Sequence, residues 1–170
     1  MNIETQRLTI RDFVPEDAAA LHEILSDAET MEFCEPPYTP EQTREFLDEF
    51  LIGRHGGAAV VLRESGRLIG YLLFNELEDG LYELGWFFNR AFWRQGYAYE
   101  ASCAVLDYAF DELDAHKVFA ETADAQRAAP LLDKLGMRLE GVQRSQTTDN
   151  HGNWLDMYLY GMLREDRADN

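Results

Sequence analysis

The chain is expected to fold as one mixed α/β domain. Its apolar residues alternate in short strands, recur at helical spacing elsewhere, and no Gly/Ser-rich linker separates the two patterns. The elements are expected in the order βααβββαβαββ. Strands and helices do not alternate strictly in that order, so a doubly wound nucleotide-binding sheet is disfavoured. A length of 170 residues suits a single domain spanning 1–170, and 46% hydrophobic with 12% aromatic residues furnishes its core.

Each element has a local reason. Leu8-Thr9-Ile10-Arg11 alternates as a short strand. Pro15-Glu16-Asp17 opens a helix with Leu21, Ile24 and Leu25 at helical spacing and acids in its first turn. Glu35-Pro36-Pro37-Tyr38 is a rigid break. Thr39 and Gln42 then form a capping box with Pro40 at the first helical position, for a helix burying Phe46, Phe50 and Leu51 and ending near Gly53. Strands over Ala58–Arg63 and Leu68–Phe74 are joined by Glu64-Ser65-Gly66-Arg67, and a third runs over Leu81–Phe88. Asn89–Gln95 forms a loop, and Gly96 opens a long helix to about Glu112 with Ala98, Ala101, Val105, Ala109 and Phe110 as its apolar stripe. Val118–Thr122 is a strand, and Leu131–Leu135 a short helix stopped by Gly136. Leu139–Thr147 and Leu155–Leu163 close the domain as a hairpin.

Charge and composition exclude several functions. A net charge of −17 repels phosphate backbones, so no nucleic-acid partner is expected, although the same surface would gather cationic amines. Lys117 and Lys134 are the lysines, so 15 − 2 leaves 13 arginines; solubility is the ordinary reading of the acid excess, and scarce lysine also suits a salt-adapted host or a GC-rich genome. No apolar run reaches the roughly 20 residues that span a bilayer, and residues 1–11 mix charges too closely for a signal peptide. Cys34 and Cys103 lie far apart without a histidine cluster, so no metal site or disulfide framework is expected, and a cytoplasmic location fits. Cys103 is read as packing, and His55 and His151 as surface loop residues.

The stretch that carries chemistry runs from Leu84 to Ala101. It is a strand, a loop bearing Arg90 and Arg94, then Gly96 at the mouth of an amphipathic helix. The first amides of a helix lack internal partners and, with the helix dipole, favour an anion such as a pyrophosphate. Gly96 lets a ligand approach the backbone closely, and Ala98 keeps the next turn small.

Three blocks resemble the GNAT N-acetyltransferase superfamily and its RimJ/RimL-type branch. Glu4-Thr5-Gln6-Arg7-Leu8-Thr9-Ile10-Arg11 looks like the branch's opening ET-x-RL-x-L-R strand. Trp93-Arg94-Gln95-Gly96-Tyr97-Ala98-Tyr99-Glu100-Ala101 matches its W-x-x-G-Y-A-x-E-A coenzyme loop, and Leu132–Gly141 is similar to its LEKLGF-R-x-EG segment. The final strand Asp156–Leu163 is similar as well, so the likeness runs over nearly the whole chain.

That resemblance implies a central, mostly antiparallel twisted sheet, splayed where acetyl-CoA binds as co-substrate, with no metal. The pantetheine arm would pair with Trp86, Phe87 and Phe88, and the pyrophosphate would sit on the amides of Gln95, Gly96, Tyr97, Ala98 and Tyr99, screened by Arg90 and Arg94. An amine would attack the thioester directly, with Glu83 taking its proton; desolvation among apolar neighbours would raise the pKa of that carboxyl. Tyr38, Trp154 and Tyr158 would line the acceptor pocket, between the Glu32–Tyr38 segment and the last hairpin. The chain departs from the family pattern at Ala125 and Ala128, where relatives carry Asn and Ser, and at Leu132, where many carry a tyrosine acid. Arg127 or a water is then left to serve the departing thiolate. The acceptor stays open between a protein N-terminus and a small amine; a polyamine or aminoglycoside enzyme and a non-catalytic acyl-CoA-binding module are the alternatives. A homodimer is the default assembly.

Overall fold

The structure is a computed structural model that describes residues 1–169. The chain opens with a hairpin of β1 (Asn2–Glu4) and β2 (Leu8–Arg11). β1 escapes the sequence pattern because three residues are too few to show alternation; it exists by pairing with β2, Ile3 opposite Ile10. A 3-10 turn at Pro15–Asp17 leads into α1 (Ala18–Leu25), which buries Leu21, Ile24 and Leu25. The Asp17 carboxylate fixes the turn, accepting from the Val14 amide at 3.0 Å and from both terminal nitrogens of Arg11 at 2.7 and 2.8 Å.

α2 (Pro40–Phe46) begins with the reciprocal cap that its sequence specifies: the Gln42 amide donates to Thr39 Oγ1 at 3.2 Å, and the Thr39 amide to Gln42 Oε1 at 2.8 Å. The helix continues as a π-type turn over Leu47–Ile52. That wider winding resets the phase of the buried face. Leu47 and Leu51 become the core pair, while Phe46 and Phe50 stay half-buried and stack on each other at 5.3 Å.

The meander follows as β3 (Gly57–Leu62), β4 (Leu68–Glu78) and β5 (Leu81–Phe88). After α3 (Tyr97–Asp111) come β6 (Lys117–Thr122), α4 (Ala125–Leu135), β7 (Arg138–Thr148) and β8 (Trp154–Leu163). α4 starts six residues earlier than the sequence reading placed it. Asp124 caps it by accepting from the Arg127 amide at 3.2 Å, and Ala128, Leu132 and Leu135 form one buried stripe. Pro130 lies inside the helix and forgoes one backbone bond, a loss the buried stripe outweighs.

Among the described residues the strands form one eight-stranded sheet in the order β1-β2-β3-β4-β5-β6-β8-β7. Every neighbouring pair is antiparallel except β5 and β6. The sheet separates two cores. Leu8, Ile10, Val60, Leu72, Leu84 and Phe88 pack with Ala101, Val105, Phe110 and Leu132 on the α3/α4 face. Ala59, Val61 and Tyr71 pack with Leu21, Ile24, Leu47 and Leu51 on the α1/α2 face. Alternate residues of β3 thus serve opposite cores, as the two-residue period requires.

β5 and β6 pair over three positions only, Leu81 with Lys117, Tyr82 with Val118 and Glu83 with Phe119. Beyond them β6 keeps only β8, its partner along its whole length from Lys117 opposite Leu163 to Thr122 opposite Tyr158, while β5 continues alongside β4 up to Phe88. From Leu84 to Phe88 the β6-side edge of β5 therefore has no strand partner. This is the splay expected in the sheet, and it leaves backbone donors and acceptors open in the middle of the domain.

Candidate active site

Beyond the open edge of β5, the chain makes a 3-10 turn at Arg90–Phe92 and reaches Gly96 in the left-handed region, at φ +83°. α3 starts there, and its first backbone bond is Glu100 N to Gly96 O at 3.0 Å. The amides of Tyr97, Ala98 and Tyr99 have no partner inside the helix. α2 and α4 cover such amides with Thr39 and Asp124, whereas glycine offers α3 no side chain for the task. The positive end of a 15-residue helix is thus left open beside the splay.

The loop is tied to its surroundings by several bonds. The Trp93 indole donates to the Phe88 carbonyl at 2.7 Å, and Gln95 Nε2 to the Ala91 carbonyl at 3.0 Å. Arg94 is exposed at φ +59° and has no ion-pair partner among the described residues. Arg90 points elsewhere: it bonds Glu29 at 2.6 Å and faces Asp27 at 3.9 Å, both on the segment after α1. Those acids hold its guanidinium in this structure and raise its pKa, the Glu29 hydrogen bond contributing most.

The N-terminal hairpin grips the same helix. Thr5 Oγ1 and the Arg7 amide both donate to Glu100 Oε1, at 2.6 and 2.8 Å, and Arg7 Nε donates to Glu100 Oε2 at 2.6 Å. Arg7 Nη1 reaches the Gln95 carbonyl at 3.0 Å, and the guanidinium lies 4.3 Å above the Tyr97 ring. Thr5, Arg7 and Glu100 all lie inside the sequence blocks that resemble the family, yet spacing gives no sign that they meet.

Glu83 occupies the last paired position before the strands part, opposite Phe119 on β6 and Asn75 on β4. Its neighbours Tyr82 and Leu84 are buried toward α3 and α4, so Glu83 projects from the α1/α2 face with Phe87. It is half-buried, and its pKa is raised, chiefly by desolvation and further by Glu121. Glu121 lies two residues beyond Phe119, on the same face of the diverging strand. Nothing in the spacing of the sequence marks Glu121; only the strand register brings it near Glu83.

The segment from Met31 to Tyr38 closes this side of the splay. Asn150, in the β7–β8 turn, donates to the Met31 carbonyl at 2.8 Å, which joins the last hairpin to that segment. From the other side Arg127 of α4 reaches Glu32 at 3.1 Å, with its guanidinium 5.5 Å from the Phe33 ring and 6.0 Å from the Trp93 ring. Tyr38 packs on the α1/α2 face, edge-on to Phe46 at 5.8 Å. Tyr158 packs with the α3/α4 core, and Trp154 is 69% exposed at the start of β8. The structure therefore does not gather the three aromatics into one wall. A groove of about 580 Å³ does run past Tyr38, lined by Glu35, Glu45, Glu49, Phe46 and Phe50 among others.

On α4, Leu132 and Ala128 are buried and Ala125 is a methyl group, so none has a proton to give. The thiols are poor nucleophiles: burial, then Glu35, pushes Cys34 up to about 11, and burial also raises Cys103. No helix among the described residues is long and apolar enough to cross a membrane.

A splayed strand, an uncapped helix mouth at its end and a half-buried carboxylate at its root suit an acyltransferase. Comparison with known proteins makes this specific. Residues 7–138 match the Acetyltransferase (GNAT) domain family, and the chain belongs to that family. It is 33% identical to the uncharacterized N-acetyltransferase YnaD of Bacillus subtilis (strain 168), covering 98% of this chain and 99% of that one. The crystal structure of a GNAT-family acetyltransferase from Bacillus anthracis superposes with a TM-score of 0.90 at 33% identity, over 97% and 99% of the two chains. A spermidine N-acetyltransferase from Vibrio cholerae, solved with CoA and spermine, shares the fold at a TM-score of 0.84 and 19% identity, over 96% and 99%. The protein is an N-acetyltransferase.

Proposed function

We propose that the protein transfers the acetyl group of acetyl-CoA to a primary amine by direct attack, with Glu83 as general base. The observation that carries this reading is the register. The unpartnered edge of β5 begins at the residue after Glu83 and ends beside the mouth of α3. A pantetheine arm extended along Trp86, Phe87 and Phe88 satisfies that edge, and its diphosphate takes the free amides from Gln95 to Tyr99. The thioester then lies near the root of the splay. There Glu83, its pKa raised by burial, removes a proton from the attacking amine, and β5 amides hold the oxyanion. The thiolate leaves toward solvent, where water protonates it or Arg127, paired here with Glu32 and Asp124, lies beside it.

Within the family we assign the chain to the RimJ/RimL-type branch, as a single domain over 1–170, on the three blocks Glu4–Arg11, Trp93–Ala101 and Leu132–Gly141. Free Cys34 and Cys103 fit a cytoplasmic enzyme, and a homodimer is the simplest assembly. The acceptor is a primary amine, of a protein N-terminus or a small molecule. The groove carries Glu35, Glu45 and Glu49 against the single cation Arg54, with Tyr38, Phe46 and Phe50, and this acid excess favours a polyamine or aminoglycoside, because carboxylates and aromatic faces both attract ammonium groups.

The test is thiol release from acetyl-CoA with a panel of N-terminal peptides, polyamines and aminoglycosides. Turnover with one class, lowered at least about 10²-fold in Glu83→Gln, is expected. Coenzyme binding without turnover on any amine would replace the enzyme with an acyl-CoA-binding module.

A further inference from the structure

The contact between the N-terminal hairpin and α3 involves more than packing. Glu100 stands in the first turn of α3, beside amides that an anion is to occupy. A carboxylate there competes with that anion for the same helix end and repels it. Its side chain is only 17% exposed, so solvent screens it weakly. Burial alone would raise its pKa, but hydrogen bonds from Thr5 and Arg7 and the Arg7 charge hold it below the ordinary carboxylate range. The acid stays ionised, and Arg7 is the cation that neutralises it.

Arg7 is itself held from behind. Arg63 Nη1 donates to the Thr5 carbonyl at 2.8 Å, and the Arg63 amide to the Arg7 carbonyl at 3.0 Å. The guanidinium bonds the Gln95 carbonyl and lies 3.4 Å from where a Cβ on Gly96 would stand, so it braces the left-handed turn from outside. We propose that Arg7 is a positioning residue of the coenzyme site, fixing the α3 mouth and cancelling the Glu100 charge so that the mouth accepts a diphosphate. The inference rests on the reading that the diphosphate lies on that mouth.

Charge cancellation predicts a sign that packing alone does not. Arg7→Gln leaves Glu100 uncompensated and weakens coenzyme A binding by about tenfold, the factor for one unit charge at roughly 10 Å in an effective dielectric of about 20. Glu100→Gln, which removes the charge, binds at least as tightly as wild type. The double variant Arg7→Gln/Glu100→Gln binds more tightly than Arg7→Gln alone.

The experiment is calorimetric titration of coenzyme A into all four proteins, with KM and kcat for acetyl-CoA at saturating amine. The KM of Arg7→Gln rises while kcat stays within about twofold. Urea midpoints report folding; if Arg7→Gln does not fold, Glu100→Gln decides alone. The proposal is overturned if Glu100→Gln weakens binding as much as Arg7→Gln does, if the double variant is no tighter than Arg7→Gln, or if Arg7→Gln binds like wild type. Failure of the wild-type chain to bind coenzyme A is a different result, and it removes the site reading itself.

Discussion

Gly96→Ala separates the cost of a backbone conformation from the cost of a collision. A Cβ on Gly96 would meet only the tip of Arg7, at 3.4 Å, an ordinary van der Waals contact. The cost therefore comes from φ +83°, which an L residue other than glycine holds at a penalty of roughly 1–2 kcal/mol. For a domain of this size each kcal/mol lowers the melting temperature by about 2–4 °C. Relief is available if the turn rotates out of the left-handed region, but that re-aims the amides of Tyr97 to Tyr99. Holding the turn for the ligand then weakens coenzyme A binding by up to the same 1–2 kcal/mol, or roughly 5- to 30-fold.

Gly66 is the matched control. It sits at φ +68° in the β3–β4 turn with nothing within 4 Å, so Gly66→Ala pays the same backbone penalty far from the coenzyme loop. The assay is thermal unfolding of both variants with calorimetric titration of coenzyme A. Both melt lower, and only Gly96→Ala binds more weakly. Equal coenzyme affinity in the two variants would refute the argument that the left-handed turn aims the α3 amides.

Glu83→Gln lowers kcat by about 10²- to 10⁴-fold, which is 3–5 kcal/mol of transition-state stabilisation, and removes the acid limb of the pH–rate profile. Because the folded pKa of Glu83 is raised, the native state binds its proton more tightly than the unfolded chain does. Its contribution to stability is full below the unfolded pKa and is lost as pH climbs through the folded one, so Glu83→Gln is no less stable than wild type at neutral pH in urea titrations. Glu121→Gln removes a raising influence and moves the acid limb of the same profile to lower pH. Thr39→Ala breaks the α2 capping box and costs about 1 kcal/mol in urea unfolding, with turnover per folded molecule unchanged. Asp17→Ala strands Arg11 and the Val14 amide and costs about 3 kcal/mol by the same measurement.

Local chemistry made most of the fold readable. The Thr39-Pro40-Gln42 cap, the glycine at the mouth of α3 and the strand at Leu81–Phe88 all follow from neighbouring residues, and all three stand in the structure. Elements that depend on partners were less visible. β1 needs β2 beside it, and the π-type turn at Leu47–Ile52 answers to packing rather than propensity. α4 needed Asp124 to be seen as a cap and Pro130 as tolerable inside a helix. The site divides in the same way. The helix mouth and the place of Glu83 on its strand are legible from strand, loop and family resemblance, as candidates for the coenzyme site and the base. The Glu29 pair that turns Arg90 aside, the Glu32 pair on Arg127, and the clamp on Glu100 join residues 61 to 95 positions apart. No spacing rule encodes such contacts; they exist only once the sheet has formed.

Hydrogen exchange with and without coenzyme A bears most directly on where the thioester lies. Adding the ligand slows exchange at the bare edge of β5, Leu84 to Phe88, and at the first turn of α3, with little change in the β3–β4 turn. Unaltered exchange at both segments while the ligand protects some other surface contradicts the account.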